Sequence, residues 1–403
     1  MTMEYTKNEV LEFVKEEDIS FIFLEFVDIL GSSRTVTIMP SEMERAIEYG
    51  IAFDGSAIEG FYGDNIHSDL FLKPSLNTLT LLPWRPDQGK AIKFFCFVVD
   101  KDGKAVSTDS RRILLDAINK AKEEKLSFSF GSEYEFYLFP LKEDGTRASF
   151  PIDRAGYMSP TPYDKGDQIR REICLMLEDL AITPEASHHE EGPGQNEIDF
   201  TYSDAMRSAD NSRSFCLAVQ TVAERNGLWA EFSPKPLENE PGNGLHINIS
   251  VKGEGDNLLS YLIGGILKYV KEMTLFFNPT EESYKRLGRC KAPKYISFSY
   301  GNRSQLIRIP AAKGKYVRAE LRSPDSTANV YIAYALLIYA AIEGIEEKIE
   351  AKENVDYNLL SSTTNLDRSL LLPLSLEEAK EEARKSEFLK RVLPRDVLDY
   401  YLN

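Results

Sequence analysis

The sequence predicts an α+β protein in two parts, a small N-terminal domain over residues 1–105 and a larger one over 106–403. Three observations predict it. Strand-type stretches separated by glycine-bearing turns dominate the N-terminal part. A long helical pattern then opens at Ser110. Beyond it, strands and helices mix without the regular alternation of a parallel βαβ fold, and no internal repeat or low-complexity segment interrupts them.

Each element has its own signal. Residues 4–16 place Val10, Leu11, Phe13 and Val14 among charged residues at helical spacing. Strands over 21–27 and 34–38 flank the turn Asp28-Ile-Leu-Gly31, and a helix over 41–49 stops at Gly50. Phe53-Asp-Gly-Ser-Ala-Ile-Glu-Gly-Phe61 reads as a glycine-punctuated loop. Strands over 78–82 and 92–99 lead to the turn Asp100-Lys-Asp-Gly103. In the second part, strands are predicted over 126–139, 229–232, 246–251, 296–299, 305–309 and 318–321. Helices are predicted over 167–180, 204–225, 258–276 and 329–348, with a charged helical tail from Leu376.

Composition narrows the partners. With 42% hydrophobic and 28% charged residues, the chain is an ordinary globular protein. Its net charge of −16 argues against nucleic-acid and anionic-membrane surfaces. Cys96, Cys174, Cys216 and Cys290 lie far apart without CxxC spacing, and are expected to be buried thiols in a reducing compartment. The N-terminus lacks a basic-then-apolar leader pattern. The longest apolar run, 330–342, is too short to span a bilayer and reads as a core helix. The expected location is the cytoplasm.

The chemistry concentrates in acids. In Glu185-Ala-Ser-His-His-Glu190-Glu-Gly-Pro-Gly-Gln-Asn-Glu197, the Gly192-Pro193-Gly194 turn folds the segment back so that Glu190 and Glu197 face each other. Carboxylates held that close require protonation or a cation. His188 and His189 are not expected to form a softer metal site by themselves. Glu133-Tyr-Glu135 places two glutamates on one face of a strand among aromatic neighbours. His246 opens an alternating strand after Gly242-Asn-Gly, and Glu320 lies between Arg318 and Arg322, all three on one face. Taken singly, these stretches also fit a polar hairpin tip, a salt-bridged strand face and a structural histidine. Together, five glutamates and one histidine make an oxygen-rich set suited to Mg²⁺ or Mn²⁺ rather than structural zinc or copper. Six ligands are too many for one magnesium, so two ions share them more comfortably.

Downstream lies a set of cations: Lys285, Arg286, Arg303, Arg308, Lys313, Lys315, Arg318 and Arg322. Alone it describes a salt-bridged surface. Beside a carboxylate metal site it is what phosphoryl transfer needs, because arginines hold phosphoryl oxygens and substrate carboxylates in bidentate fashion. No Walker-type GxxxxGK[ST] occurs, so a nucleotide site would not be a P-loop.

These stretches, in order, resemble the glutamine synthetase family over nearly the whole chain. The resemblance runs through Asp28-Ile-Leu-Gly31, Phe53-Asp-Gly-Ser56, Ser68-Asp69, Lys73-Pro74, Pro83-Trp84, Glu133-Tyr-Glu135, His189-Glu190, Pro193-Gly-Gln-Asn-Glu197, Lys235-Pro236, Gly244-Leu-His246, Asn302-Arg303-Ser, Ile307-Arg308-Ile-Pro310 and Glu320-Leu-Arg322-Ser-Pro-Asp325. It implies a β-grasp-like N-terminal domain and a catalytic domain with a curved antiparallel sheet flanked by helices. It also implies a homo-oligomeric ring, hexamer or dodecamer, with active sites shared between subunits. By the resemblance, Glu135, Glu190 and Glu197 hold one divalent ion, and Glu133, His246 and Glu320 the other. Arg286 and Arg322 clamp the carboxylates of substrate glutamate, with Gly242 near its amino group. Arg303 and Arg308 stabilise the transferring phosphoryl group. Glu185, Ser250 and Lys315 contact ATP, and Asp54 reaches a neighbouring subunit's site to bind and deprotonate ammonium.

Departures from the family pattern cluster on the amine side. Ala57 stands where the family has a second serine, and its Glu-Glu-Ser-Asp pattern becomes Ile66-His67-Ser68-Asp69. Pro241 replaces an asparagine, and Leu360 lies nearest the position of the family's adenylylation tyrosine. The flap reads Lys285-Arg-Leu-Gly-Arg-Cys-Lys291-Ala-Pro293, with Lys291 in place of the glutamate that closes over ammonium. An inward lysine repels a cation on the order of kcal/mol at a few ångströms. Three readings follow: a glutamate–ammonia ligase whose Lys291 points outward while an acid such as Asp69 compensates; a γ-glutamyl ligase for a larger, possibly anionic amine; or a weakened homologue with a regulatory or assembly role.

Overall fold

The structure, a computed structural model, describes residues 5–61, 68–84, 88–311, 317–352, 357–361 and 367–403. The N-terminal sheet is built from β1 (Ile19–Val27), β2 (Ser33–Ile38), β3 (Ile51–Asp54), β4 (Asp69–Pro74), β5 (Thr80–Leu81) and β6 (Lys90–Val99). Its order is β2-β1-β6-β4-β3, with β5 also on β6, and β1 runs parallel to β6. The β1–β2 turn forms because Asp28 Oδ1 accepts from the amides of Leu30 and Ser32 while Gly31 supplies φ +83°. The helix Lys7–Glu16, opened by a Thr6/Glu9 capping box, and the helix Met43–Tyr49 contribute Val10, Val14, Met43 and Ala46 to the apolar core beneath this sheet.

Two readings of this region need correction. The stretch expected as a loop begins as β3 and turns through the short helix Gly55–Ala57. The strand expected over 78–82 is shortened by the turn Leu76–Thr78, while β4 carried too little alternation to be anticipated.

The second sheet comprises β7 (Ser127–Pro140), β8 (Pro184–His189), β9 (Gln195–Phe200), β10 (Ser203–Asp204), β11 (Leu228–Glu231), β12 (Leu245–Lys252), β13 (Phe298–Tyr300), β14 (Ile307–Ile309) and β15 (Ala319–Leu321). The order is β13-β14-β15-β12-β7-β9-β8, with β10 and β11 also on β7. All these pairings are antiparallel except β13–β14. Alternation along β7 sends Phe128, Phe130, Tyr134 and Phe136 into the core with residues of the helices Ser110–Glu123, Ala205–Arg225, Leu258–Phe277 and Val330–Glu346. Glu133 and Glu135 take the other face. The apolar run forms the last of these helices, where Leu336, Leu337 and Ile338 are fully buried. Each contributes roughly 1.5–3 kcal/mol. No helix of the described residues is long and apolar enough to cross a membrane.

Asn329 joins the two sheets' surroundings. Its Oδ1 caps the helix Val330–Glu346 by accepting from the Tyr331 amide, and its Nδ2 donates to the carbonyls of Asp28 and Ile29. Gly31 has to be glycine here, since a Cβ would stand 3.0 Å from Asn329 Cα. From the C-terminal helix Arg395–Leu402, Tyr401 donates to the same Ile29 carbonyl at 2.8 Å.

Candidate active site

Strand register assembles the acids. His246 on β12 and Asp199 on β9 both stand opposite Glu133 on β7. In the next row Glu135 faces Glu197, and Glu197 faces His188 on β8. On the far side Glu320 on β15 lies between Asn248 and Arg308. Antiparallel pairing thus carries residues remote in sequence onto one face of five adjoining strands.

One expected group has metal-ligand spacing, and the other is divided. Glu133, His246 and Glu320 come together as expected, their ligand atoms within 4.8 Å of one another. Glu197 joins Glu135 and His246 on one side, and His188 and Glu190 on the other. The expected trio of Glu135, Glu190 and Glu197 is therefore spread over two groups that share Glu197. His188, which the sequence reading set aside, belongs to the site: its Nε2 lies 3.0 Å from Glu190 Oε1 and 3.8 Å from Glu197 Oε1. Asp199 was missed as well, and groups with Glu133 and Glu197. Two-residue alternation from Glu197 was the signal that could have found it.

The electrostatics follow from crowding. Burial pushes the Glu197 carboxyl well above the ordinary range, and Asp199, Glu135, Glu133 and Glu190 add to the rise. Burial and the Glu133 charge push Asp199 up to about 7. Burial also raises Glu133, but hydrogen bonds from His246 and Asn248 and the Arg308 charge outweigh it and hold this carboxyl low. Asn248 Nδ2 donates to Glu133 Oε1 at 2.7 Å, and Arg318 Nε donates to Asn248 Oδ1 at 2.7 Å. Glu135 is held by the Gly244 amide at 2.7 Å. The buried Asp199 Oδ1 has no hydrogen-bond partner among the described residues. Clustered carboxylates that raise one another, with an orphaned oxygen among them, fit hard divalent cations.

Arginines close the other end. Arg308 Nε and Arg322 Nε lie 2.9 and 3.2 Å from the oxygens of fully buried Glu320, and Arg322 also donates to the Arg303 carbonyl. Arg286 is buried and donates to the carbonyls of Ser323 and Arg322. Gly242 leaves room for it, because a Cβ there would meet Pro234 O at 2.3 Å and Arg286 Cγ at 3.0 Å. Ser250 follows His246 and Asn248 on β12, and Glu185 is exposed at the irregular start of β8. Asp54 is exposed on the N-terminal sheet, where it accepts from Ser56, and does not line the cavity of its own chain. Lys313, Lys315, Ile66 and His67 lie outside the described residues.

A cavity of about 40 Å³ is lined by Glu135, Glu190, Gly242, His246, Arg286 and Lys291, among others. This corrects the outward placement of Lys291. Its Nζ lies 2.5 Å from Glu191 Oε1, and 5.2 Å from the centre of the Tyr157 ring. Within the chain the acid facing Lys291 is Glu191, while Asp69 stands opposite Asp54 on the N-terminal sheet. The cysteine expectation also fails in part: Cys96 and Cys216 are buried, Cys174 is half-buried, and Cys290 is exposed on the flap. All four thiols are free.

Carboxylates crowded beside paired arginines, on a sheet preceded by a grasp-type domain, suit phosphoryl chemistry with divalent cations. Residues 18–101 match the glutamine synthetase beta-Grasp domain, and residues 107–403 the glutamine synthetase catalytic domain. The chain belongs to the glutamine synthetase family. It is 38% identical to a glutamine synthetase of Clostridium saccharobutylicum, over 99% of this chain and 94% of that protein. It is 40% identical to one of Methanosarcina mazei, over 98% and 92%. A solved chain described as "Apo GmaS without ligand" superposes with a TM-score of 0.87 at 28% identity, covering 97% of this chain and 93% of that one. A cryo-EM glutamine synthetase of Plasmodium falciparum shares the fold, with a TM-score of 0.86 at 24% identity over 100% and 95% of the two chains.

Proposed function

We propose that the protein joins glutamate to ammonia at the expense of ATP. The observation that carries this reading is the convergence of Glu133, Glu135, Glu190, Glu197, His246 and Glu320 beside Arg286, Arg308 and Arg322. Glu133, His246 and Glu320 would hold one Mg²⁺ or Mn²⁺, and Glu135, Glu190 and Glu197, with His188, another. Bound there, such ions supply neutralisation of phosphate charge. The chain's own residues do the rest. Arg286 and Arg322 bind the glutamate carboxylates beside Gly242, while Arg303 and Arg308 steady the phosphoryl group during transfer. Glu185, Ser250 and Lys315 meet ATP.

A carboxylate is a poor electrophile, so its γ-oxygen first takes the terminal phosphoryl group of ATP. The amine nitrogen then attacks the acyl carbon and phosphate leaves. Asp54 of a neighbouring copy in a ring-shaped oligomer would help bind the ammonium and take its proton. The ion pair with Glu191 offsets the lysine charge that would otherwise repel a cation, which supports ammonium as the amine source. A cytoplasmic location and a domain boundary near residue 105 accord with this reading.

Phosphate release with glutamate, ATP and Mg²⁺, measured across a panel of amines, tests it. Turnover with ammonium is expected. Turnover confined to a larger amine would replace ammonia as the substrate, and none with any amine would reject the ligase reading.

A further inference from the structure

The flap residues 287–292 close on themselves: Gly288 N donates to Ala292 O, and Ala292 N to Arg289 O, both at 3.0 Å. This compact turn presents Lys291 to the cavity. Its ε-ammonium meets a carboxylate of the cavity wall, Glu191, and the exposed aromatic face of Tyr157, whose ring in turn stands edge-on to His188. A carboxylate and a π-face are the two groups that recognise any small ammonium ion in water. The corner is thus a cation site with a visible occupant, chemically an alkylated ammonium. The Lys291 side chain is 46% exposed, so solvent lies directly behind it.

We propose that Lys291 is a tethered occupant of the amine pocket, which a cationic amine substrate must displace. This rests on the ligase reading and deepens it: the flap lysine sets how much free ammonium the enzyme needs. An ion pair this exposed favours its closed form by no more than about fivefold. A site filled by its own side chain weakens apparent affinity by the fraction of time it is free. The occupant therefore raises the ammonium KM by up to roughly fivefold, leaves glutamate and ATP alone, and matters less for an amine that enters uncharged.

Two measurements test this. In Lys291→Met, the KM for ammonium is expected to fall by up to about fivefold, with KM for glutamate and ATP unchanged and little effect on hydroxylamine, which is neutral at pH 7. An ammonium KM that is unchanged or higher in an otherwise active variant would overturn the proposal. In the wild-type protein, limited lysine acylation read by mass spectrometry should speed up at Lys291 on adding ammonium chloride. Sodium chloride at equal ionic strength should not do this, and exposed Lys285 serves as the internal control. Equal rates at Lys291 in the two salts would overturn the proposal without reference to turnover. Ammonium-accelerated acylation in a protein that releases no phosphate with any amine would instead uphold the occupied cation site and reject the ligase reading.

Discussion

Glu135 and Glu197 stand directly opposite each other on neighbouring antiparallel strands, with Glu133 and Asp199 opposed one row away. Cross-strand like charges are unfavourable, and burial makes them more so. The fold holds this repulsion in place for a cation to relieve.

Stability should therefore depend on pH and on divalent ions together. Asp199 titrates near 3.8 when unfolded and at about 7 in the fold. Below the lower value both states are protonated and the group contributes nothing. Between the two, the unfolded chain gives up its proton first, so rising pH favours unfolding. In EDTA, thermal unfolding of Asp199→Asn is expected to show a flatter decline from about pH 4 to 7 than wild type. Mg²⁺ should raise the wild-type midpoint most at the upper end of that range, where the carboxyl is ionised.

Glu197→Gln replaces a carboxyl whose ionisation the crowd opposes with an amide that cannot ionise. The variant is expected to unfold at higher temperature than wild type in EDTA, yet to gain much less from Mg²⁺. Its turnover should fall by at least about tenfold. Calorimetric melts with and without Mg²⁺ check the first two effects, and phosphate release the third.

Arg308 and Arg322 share the fully buried carboxylate of Glu320. Arg308→Ala leaves that charge with one arginine and should cost about 2 kcal/mol in urea unfolding, less than the ~3–5 kcal/mol of a buried charge left alone. Adding Glu320→Gln should recover part of the loss, a coupling that a double-mutant cycle measures directly.

Asn329→Ala deletes a helix cap and two bonds to the β1–β2 turn. A loss of about 2 kcal/mol is expected. Hydrogen exchange should quicken at the amides of Gly31 and Ser32, which that turn protects.

The sequence made the acids legible because glutamates two apart on a strand, and across a Gly-Pro-Gly turn, have little freedom in where they point. The grouping of Glu133, His246 and Glu320 rested on the family resemblance instead, because the three lie on strands remote in sequence and no local pattern joins them. His188 was not legible, because its place depends on the β8–β9 register, and two adjacent histidines point to opposite faces. His189 turns away from the cluster, 3.0 Å from Asp153, while His188 joins Glu190. The contact between Lys291 and Glu191 was equally hidden. It joins a flap to a hairpin a hundred residues earlier, and no local pattern encodes that. Strand β4 was missed because its short Leu70-Phe-Leu72 run does not alternate and ends in Lys73-Pro74, which reads as a break.

In the proposed reaction, ammonia nitrogen is joined to the γ-carboxyl of glutamate with ATP consumed. Incubating the protein with ¹⁵N-ammonium, glutamate, ATP and Mg²⁺, and following the product by NMR, tests it most directly. The expected result is ¹⁵N in the side-chain amide of glutamine, formed in step with phosphate and absent without ATP. ATP-dependent phosphate release with no labelled glutamine, or no reaction at all, would contradict it.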